Sequence, residues 1–360
     1  MQNRLSLYPM TKDMCAIARY SNMLQNYSLY GLYSPSFSGL NGEDINTIDG
    51  GILSNYQLSD YSTDANIMND TILLDYDENM KDVSIYSDAL CAAKNQYRDV
   101  IISRKLDNIL HLGTHSTATN IAFSEKPEID RLYDFSIPVI TILSQGARTD
   151  QFATELALRT HFIKEGYRVS QVSSFDGSTF LGFPSLPSFL FEPRDAYEKT
   201  LKFNHYIASL IDIEKPDVLI LGVPNGVMKF NNKLLEGLGF LPYIVCSAVR
   251  SDVLVLCTYH VDYTKEFYDE MSRYGMYHFG TPINYFNVAN ACFIPGSTGE
   301  YGTETKKKYI DLNSEFVLSK INNGISYGEH TLFNALDENS VKRACLAIHE
   351  ELLSNVGYMR

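Results

Sequence analysis

Pro138-Val-Ile-Thr-Ile-Leu143, Ser144-Gln-Gly-Ala-Arg-Thr-Asp150 and Gly166-Tyr-Arg-Val-Ser-Gln-Val172 frame the stretch on which the fold turns. The first six residues are an apolar run of strand length, and the next seven are a short polar loop. A helix then starts at Thr149 or Asp150, either of which can cap its first N–H groups. Phe152, Ala153, Leu156, Ala157 and Ile163 recur at a helical period and supply one face to lie on a sheet. Gly166 suits the left-handed residue that closes a helix, and Tyr167–Val172 reads as the next parallel strand. A β-loop-α-β unit of this kind points backbone N–H groups out of the carboxyl end of a strand, where α/β proteins bind phosphate.

The loop lacks the chemistry of a phosphate-transfer motif. Aligned to G-x-x-x-x-G-K-[ST] from Ser144, the signature positions hold Ser144, Thr149, Asp150 and Gln151. Aspartate replaces the lysine that meets the outer phosphates, and an amide replaces the Mg²⁺-binding hydroxyl. The reading is a degenerate Walker A loop with Ser144, Gln145, Gly146, Ala147, Arg148 and Thr149 as candidate anion-binding residues. Arg148 would supply the positive charge.

The second half of the cleft comes from Asp217-Val-Leu-Ile-Leu-Gly-Val223, an unbroken apolar run expected of a central parallel strand. It ends in Pro224-Asn225-Gly226, so Asn225 and Gly226 are expected to face Gln145–Thr149. Further strands are expected at Tyr243–Cys246, Asp252–Thr258 and Asn284–Asn290, with helices at Tyr263–Arg273 and Ser340–Leu353. Asp195 and Glu198 fit a capping box ahead of another helix. Phe180–Pro193 is an aromatic, proline-rich loop that either faces a partner or folds back as a small core.

Upstream, Leu5–Tyr8, Tyr27–Ser34, Gly51–Leu53, Asp70–Asp75 and Asp99–Ser103 read as strands, with helices from Thr11 to Gln25 and from Met80 to Tyr97. Residues 1–125 then form a small Rossmann-like domain, 126–136 a linker, and 137–360 a doubly wound, P-loop-NTPase-like domain ending in a helix. The first strand turns through Tyr8-Pro9-Met10 with no G-x-G-x-x-G, which argues against a dinucleotide. Pro35–Asp44 is either a surface connection or a pocket wall. Asp75, Asp77 and Glu78 are either Mg²⁺ ligands or the acidic approach to a helix.

A length of 360 residues suits two domains, and 45% hydrophobic with 20% charged content describes a folded chain. The net charge of −13 argues against a nucleic-acid surface. Lys306–Lys308 reads as a solvated hairpin tip within a flexible insertion, Gly296–Lys308. Six cysteines without CxxC argue against a metal centre and suit small buried side chains in a reducing compartment. No secretory start or membrane-length apolar run is present, so a cytoplasmic protein is expected. Hydrolase and metalloprotease signatures are absent. His260, just past a strand end and near Asp262, is the best acid/base candidate.

The strings Leu5-Ser-Leu-Tyr-Pro9, Cys15-Ala-Ile-Ala-Arg-Tyr20, Tyr33-Ser-Pro35, Gly39-Leu-Asn-Gly-Glu-Asp44, Gly146-Ala-Arg-Thr149, Glu155-Leu-Ala-Leu-Arg159, Gly166–Gln171, Phe203-Asn-His205, Lys215-Pro-Asp217 and Gly222-Val-Pro-Asn-Gly226 resemble a family of peptide maturation system proteins. The resemblance spans most of the chain. It implies a place beside radical-SAM maturases, a small acyl-carrier-related protein and Cys-rich, bacteriocin-like precursor peptides, which become the expected partners. In the family pattern the loop can begin with Gly and carry Lys where this chain has Ser144 and Gln151, which further weakens nucleotide binding. The expectation is an accessory protein in the maturation of a ribosomally made peptide (a RiPP), a natural product pathway. The alternative is a transferase or ligase that uses a phosphate-bearing group: a nucleotide, coenzyme A or carrier-protein phosphopantetheine. A scaffold with a retired NTPase domain is the third reading.

Overall fold

Strands too apolar to face water on either side alternate along the chain with one-sided helices, a pattern that only a parallel sheet covered on both faces satisfies. The computed structural model describes residues 3–61, 67–113, 131–229, 235–295, 307–322 and 327–357. The chain divides into two units, Met1–Thr117 with Phe175–Ser185, and Ala118–Ser174 with Leu186–Arg360. Part of the expected linker, 126–130, lies outside the described residues.

The first unit runs β1 (Asn3–Tyr8), α1 (Lys12–Arg19), β2 (Tyr27–Ser34), α2 (Asn46–Asp49), β3 (Ser59–Asp60), β4 (Ile67–Leu74), α3 (Val83–Gln96), β5 (Tyr97–Ile102) and α4 (Arg104–Leu110). Its five strands lie in the order β3-β2-β1-β4-β5, all parallel, which is the arrangement of a dinucleotide-binding half. Asp75, just beyond β4, is fully buried; Thr11 Oγ1 donates to its Oδ2 (2.9 Å) and Ser103 Oγ to its Oδ1 (2.6 Å). It therefore ties together the residues that follow β1, β4 and β5. The helix-approach reading of Asp75 is corrected, because α3 starts eight residues later and is capped by Asp82. The strand expected at Gly51–Leu53 is also corrected. Asp49 accepts the Gly51 N–H (2.9 Å) and holds Arg19, fixing a turn that leaves Ile52 and Leu53 70% and 73% exposed.

Residues 175–185 pack within this first unit. Asp176 pairs with Arg104 (3.0 Å), the Phe180 carbonyl accepts from Gln25 N–H (2.9 Å), and the Phe180 ring meets Tyr27 edge-on. Phe180 and Phe183 are buried, and so are Phe189 and Leu190 in the core of the second unit. The exposed-loop reading of Phe180–Pro193 is thus corrected in favour of its alternative: rings this large gain more by burial than an aqueous loop could offset.

The second unit contains β6 (Val139–Ser144), α5 (Gln151–Lys164), β7 (Val169–Val172), α6 (Ala196–Glu214), β8 (Val218–Gly226), α7 (Phe240–Ala248), β9 (Val253–Thr258), α8 (Lys265–Phe279), β10 (Ile283–Val288), β11 (Ala291–Pro295), β12 (Lys307–Asp311), α9 (Ser314–Asn322), β13 (Thr331–Phe333) and α10 (Glu338–Gly357). Its main sheet is parallel, in the order β13-β10-β9-β6-β8-β7. The chain leaves β6 through α5 to the edge strand β7, returns to β8 beside β6, and then crosses to β9 on the other side of β6, so the topological switch point falls at the end of β6. Alternate residues divide between two cores. Leu143, Leu219 and Leu256 face α6, α7 and α8, while Ile142, Ile220 and Val255 face α5 and α10. This is a doubly wound sheet.

Tyr243–Cys246 is helix rather than strand. Leu241, Ile244, Val245 and Ala248 are buried at three- and four-residue spacing, and Pro242 sits in the first turn, where its missing N–H is harmless. Ile163 is exposed on α5, with Phe162 packing in its place. Lys307 and Lys308 pair with Pro295 and Ile294 in an antiparallel ladder, which corrects the hairpin-tip reading; Lys306 and the rest of the expected insertion, 296–306, lie outside the described residues. Cys91 is exposed, against the expectation of burial. Among the described residues, no helix is long and apolar enough to cross a membrane.

Candidate functional site

The loop Ser144–Asp150 meets the end of β8 as the sequence leads one to expect. Ser144 pairs with Gly226 across the β6–β8 ladder, Ser144 Oγ donates to the Asn225 carbonyl (3.2 Å), and Val227 N–H donates to the Ser144 carbonyl (2.9 Å). Both loops approach closely because both carry glycine. A Cβ on Gly146 would stand 2.5 Å from Tyr259 Oη and 3.0 Å from a Glu236 carboxylate oxygen, and one on Gly226 would stand 2.8 Å from the Gln145 carbonyl.

The polar groups of the loop are turned to the protein itself. Gln145 Oε1 accepts from Tyr259 N–H (3.1 Å), and its amide also meets Tyr263 Oη (3.1 Å). Tyr259 Oη donates to the Ala147 carbonyl (2.9 Å) and Thr149 Oγ1 to the Gly146 carbonyl (3.1 Å). Arg148, in the left-handed region at φ 62°, sends a side chain only 4% exposed to Asp311 on β12 (2.7 and 2.9 Å). Its charge is thus already neutralised inside the unit.

Asp150 holds the N-cap position of α5, yet its carboxylate does not cap the helix. With φ at 55°, it accepts the Asn290 N–H (2.6 Å) instead, which corrects the expectation that Thr149 or Asp150 caps the first turn. Gln151, where the motif places its metal-binding hydroxyl, points inward. Its Nε2 donates to the carbonyls of Ile142 and Val223, each at 2.8 Å, and so joins β6 to β8 beneath the loop.

One turn further along α5, Glu155 is a carboxylate buried without access to water. Ser173 Oγ (2.6 Å) and Gln171 Nε2 (3.1 Å) donate to it from the end of β7, and Ser174 donates through both its hydroxyl and its N–H. Gly222 in β8 makes the space: a Cβ there would lie 2.0 Å from Glu155 Oε1. Burial pushes the Glu155 carboxyl up to about 7, against the lowering effect of its serine donors. The only sequence signal for Glu155 is an acid set within the apolar period Phe152, Ala153, Leu156, Ala157. Glu236, Tyr259 and Asp311 carry no local signal, because each reaches the loop from a distant element.

His260 stands apart from this loop, past the end of β9. Its N–H donates to the Ala291 carbonyl (2.8 Å) and its ring meets Phe316 edge-on at 5.4 Å. Burial lowers its pKa, with Asp262 opposing and Lys320 adding to that effect. It lines a cavity of about 230 Å³ with Asp262, Tyr263, Lys320 and Tyr327.

Fold and site together define a two-unit α/β protein: a Rossmann-ordered parallel sheet and a doubly wound, P-loop-like sheet whose Ser144–Asp150 loop lacks the signature residues of a phosphate-binding loop. Among solved structures, it is similar to a DUF1611 family protein from Anabaena variabilis, with a TM-score of 0.57 over 96% of this chain and 99% of that chain. Only 10% of residues are identical, so the likeness is one of fold. No family model and no curated protein matches the sequence.

Proposed function

We propose that this chain is an accessory, binding component in the maturation of a ribosomally synthesised peptide, with a P-loop-like cleft that no longer transfers phosphate. The peptide context rests on the sequence resemblance; the preference for binding over catalysis rests on the geometry of the loop. Its carrying observation is that Asp150 and Gln151 are held by Asn290 and by the Ile142 and Val223 carbonyls, in the two positions where lysine and a metal-binding hydroxyl would act. Neither is placed to neutralise a γ-phosphate. The partners under this reading are the precursor peptide, a radical-SAM maturase and the acyl-carrier-related protein.

The test has two arms. Titration with ATP, GTP and coenzyme A should give no hydrolysis or transfer, and the precursor peptide should be retained by the immobilised protein. Turnover of any of the three, or loss of the peptide under all conditions, would end the reading. A transferase is the second reading, and the cavity that His260 lines with Asp262 and Lys320 favours it; His260→Ala abolishing acyl or phosphopantetheine transfer would establish it.

A further inference from the structure

The cavity beside His260 gathers polar groups that the protein leaves unpaired. It lies past the carboxyl ends of β9 and β10, the edge at which open α/β sheets take their ligands. His260 follows β9, Val288 is the last residue of β10, and Lys320 and Ile321 of α9 form another wall. Elsewhere in this unit acids and bases that come close are paired, as are Arg148 with Asp311 (2.7 Å) and Lys265 with Asp269 (2.7 Å). Around this cavity they are not. Among the described residues, Asp262 and Lys320 form no ion pair with each other or with any neighbour, and the His260 ring makes no hydrogen bond.

The walls add a second signal. Tyr268 lines the cavity and is only 3% exposed, yet among the described residues its hydroxyl meets no donor or acceptor. A hydroxyl buried to that degree ordinarily has a partner. Its ring is fixed there by edge-to-face contacts with Phe286 (4.8 Å) and Tyr327 (5.2 Å), while Val288, Ile321 and Leu332 supply apolar surface. The volume is small. At about 30 Å³ per water, 230 Å³ holds about eight waters, the space of a small metabolite rather than of a nucleotide.

We propose that this cavity binds a free α-amino acid with an apolar side chain. The ligand carboxylate meets Lys320 and its ammonium meets Asp262. The Tyr268 hydroxyl and the His260 ring supply hydrogen bonds, and the side chain lies against Val288, Ile321 and Leu332. A ligand of one charge leaves either the acid or the base without a counter-ion, whereas a zwitterion satisfies both. The cavity is shared with the transferase reading, but the inference requires binding alone.

The test is calorimetric titration of the full chain with each of the standard L-amino acids at pH 7. At least one with an apolar side chain should bind with a Kd below about 1 mM. Its amide, which lacks the carboxylate, and its des-amino acid, which lacks the ammonium, should each bind at least about tenfold more weakly. Lys320→Met should weaken binding of the amino acid about tenfold without lowering the affinity of the amide. Asp262→Asn should weaken it to a similar degree without lowering the affinity of the des-amino acid. Both residues are exposed, and circular dichroism checks that each variant is folded. Binding by no apolar amino acid below that limit overturns the proposal. So does a bound amino acid whose affinity either variant leaves unchanged, or an amide or des-amino acid that binds as tightly as its parent. Retention of the precursor peptide is measured without added amino acid, so failure of this site and failure of the proposed function are separable.

Discussion

Replacing Glu155 by Gln should remove a specific piece of the protein's pH dependence. Burial raises the folded-state pKa of Glu155 from the ordinary 4.5 to about 7. Below the unfolded value the group is protonated in both states and costs nothing. As pH rises from about 4.5 through 7, the unfolded chain ionises freely while the folded one resists, and stability falls. At 1.36 kcal/mol per pH unit, the loss reaches about 3 kcal/mol once pH exceeds the folded pKa. Glutamine is neutral throughout, and the Ser173 and Ser174 hydroxyls can rotate to accept from its amide. Urea unfolding of both proteins from pH 4.5 to 8.5 is the assay. The difference between them should grow in favour of Glu155→Gln as pH rises and level off near pH 8. Parallel curves, or a difference that shrinks with pH, would show that Glu155 stays ionised in the folded state and that the burial argument is wrong.

Gly222→Ala should destabilise by about 1–3 kcal/mol in thermal melts, and by clearly less when combined with Glu155→Ala, since the collision is with that carboxylate. Gln151→Ala leaves the Ile142 and Val223 carbonyls unmet and should lower stability by about 2 kcal/mol in denaturant titrations, whereas Gln151→Lys should produce no ATP hydrolysis in a phosphate-release assay. Arg148→Ala removes the ion pair to Asp311 and should cost about 2–3 kcal/mol, with Arg148→Met plus Asp311→Leu recovering most of it in the same melts.

The parallel sheets were legible because strands such as Val218–Val223 and Val253–Cys257 are apolar throughout, and Gly166 ends α5 in the left-handed conformation the reading required. The meeting of Ser144 with Gly226 followed from strand ends alone. What escaped were contacts set by tertiary placement. Asp150 has the composition of a cap, yet Asn290, 140 residues away, offers its carboxylate a better-placed donor. Tyr243–Cys246 has strand-like composition, and the helical spacing of its buried neighbours emerges only over a longer window. Phe180–Phe191 looked like a surface loop because nothing in it says which core receives the rings.

The return of Phe175–Ser185 to the first unit constrains the order in which the protein is made. A ribosome that has released residues 1–125 has not yet supplied Asp176 to Arg104, or the Phe180 carbonyl to Gln25. The N-terminal unit cannot complete its packing until β6, α5 and β7 have been synthesised. Cutting the gene near residue 125 should yield an N-terminal fragment with an unfilled core, one that recovers only when a peptide spanning residues 175–185 is supplied in trans.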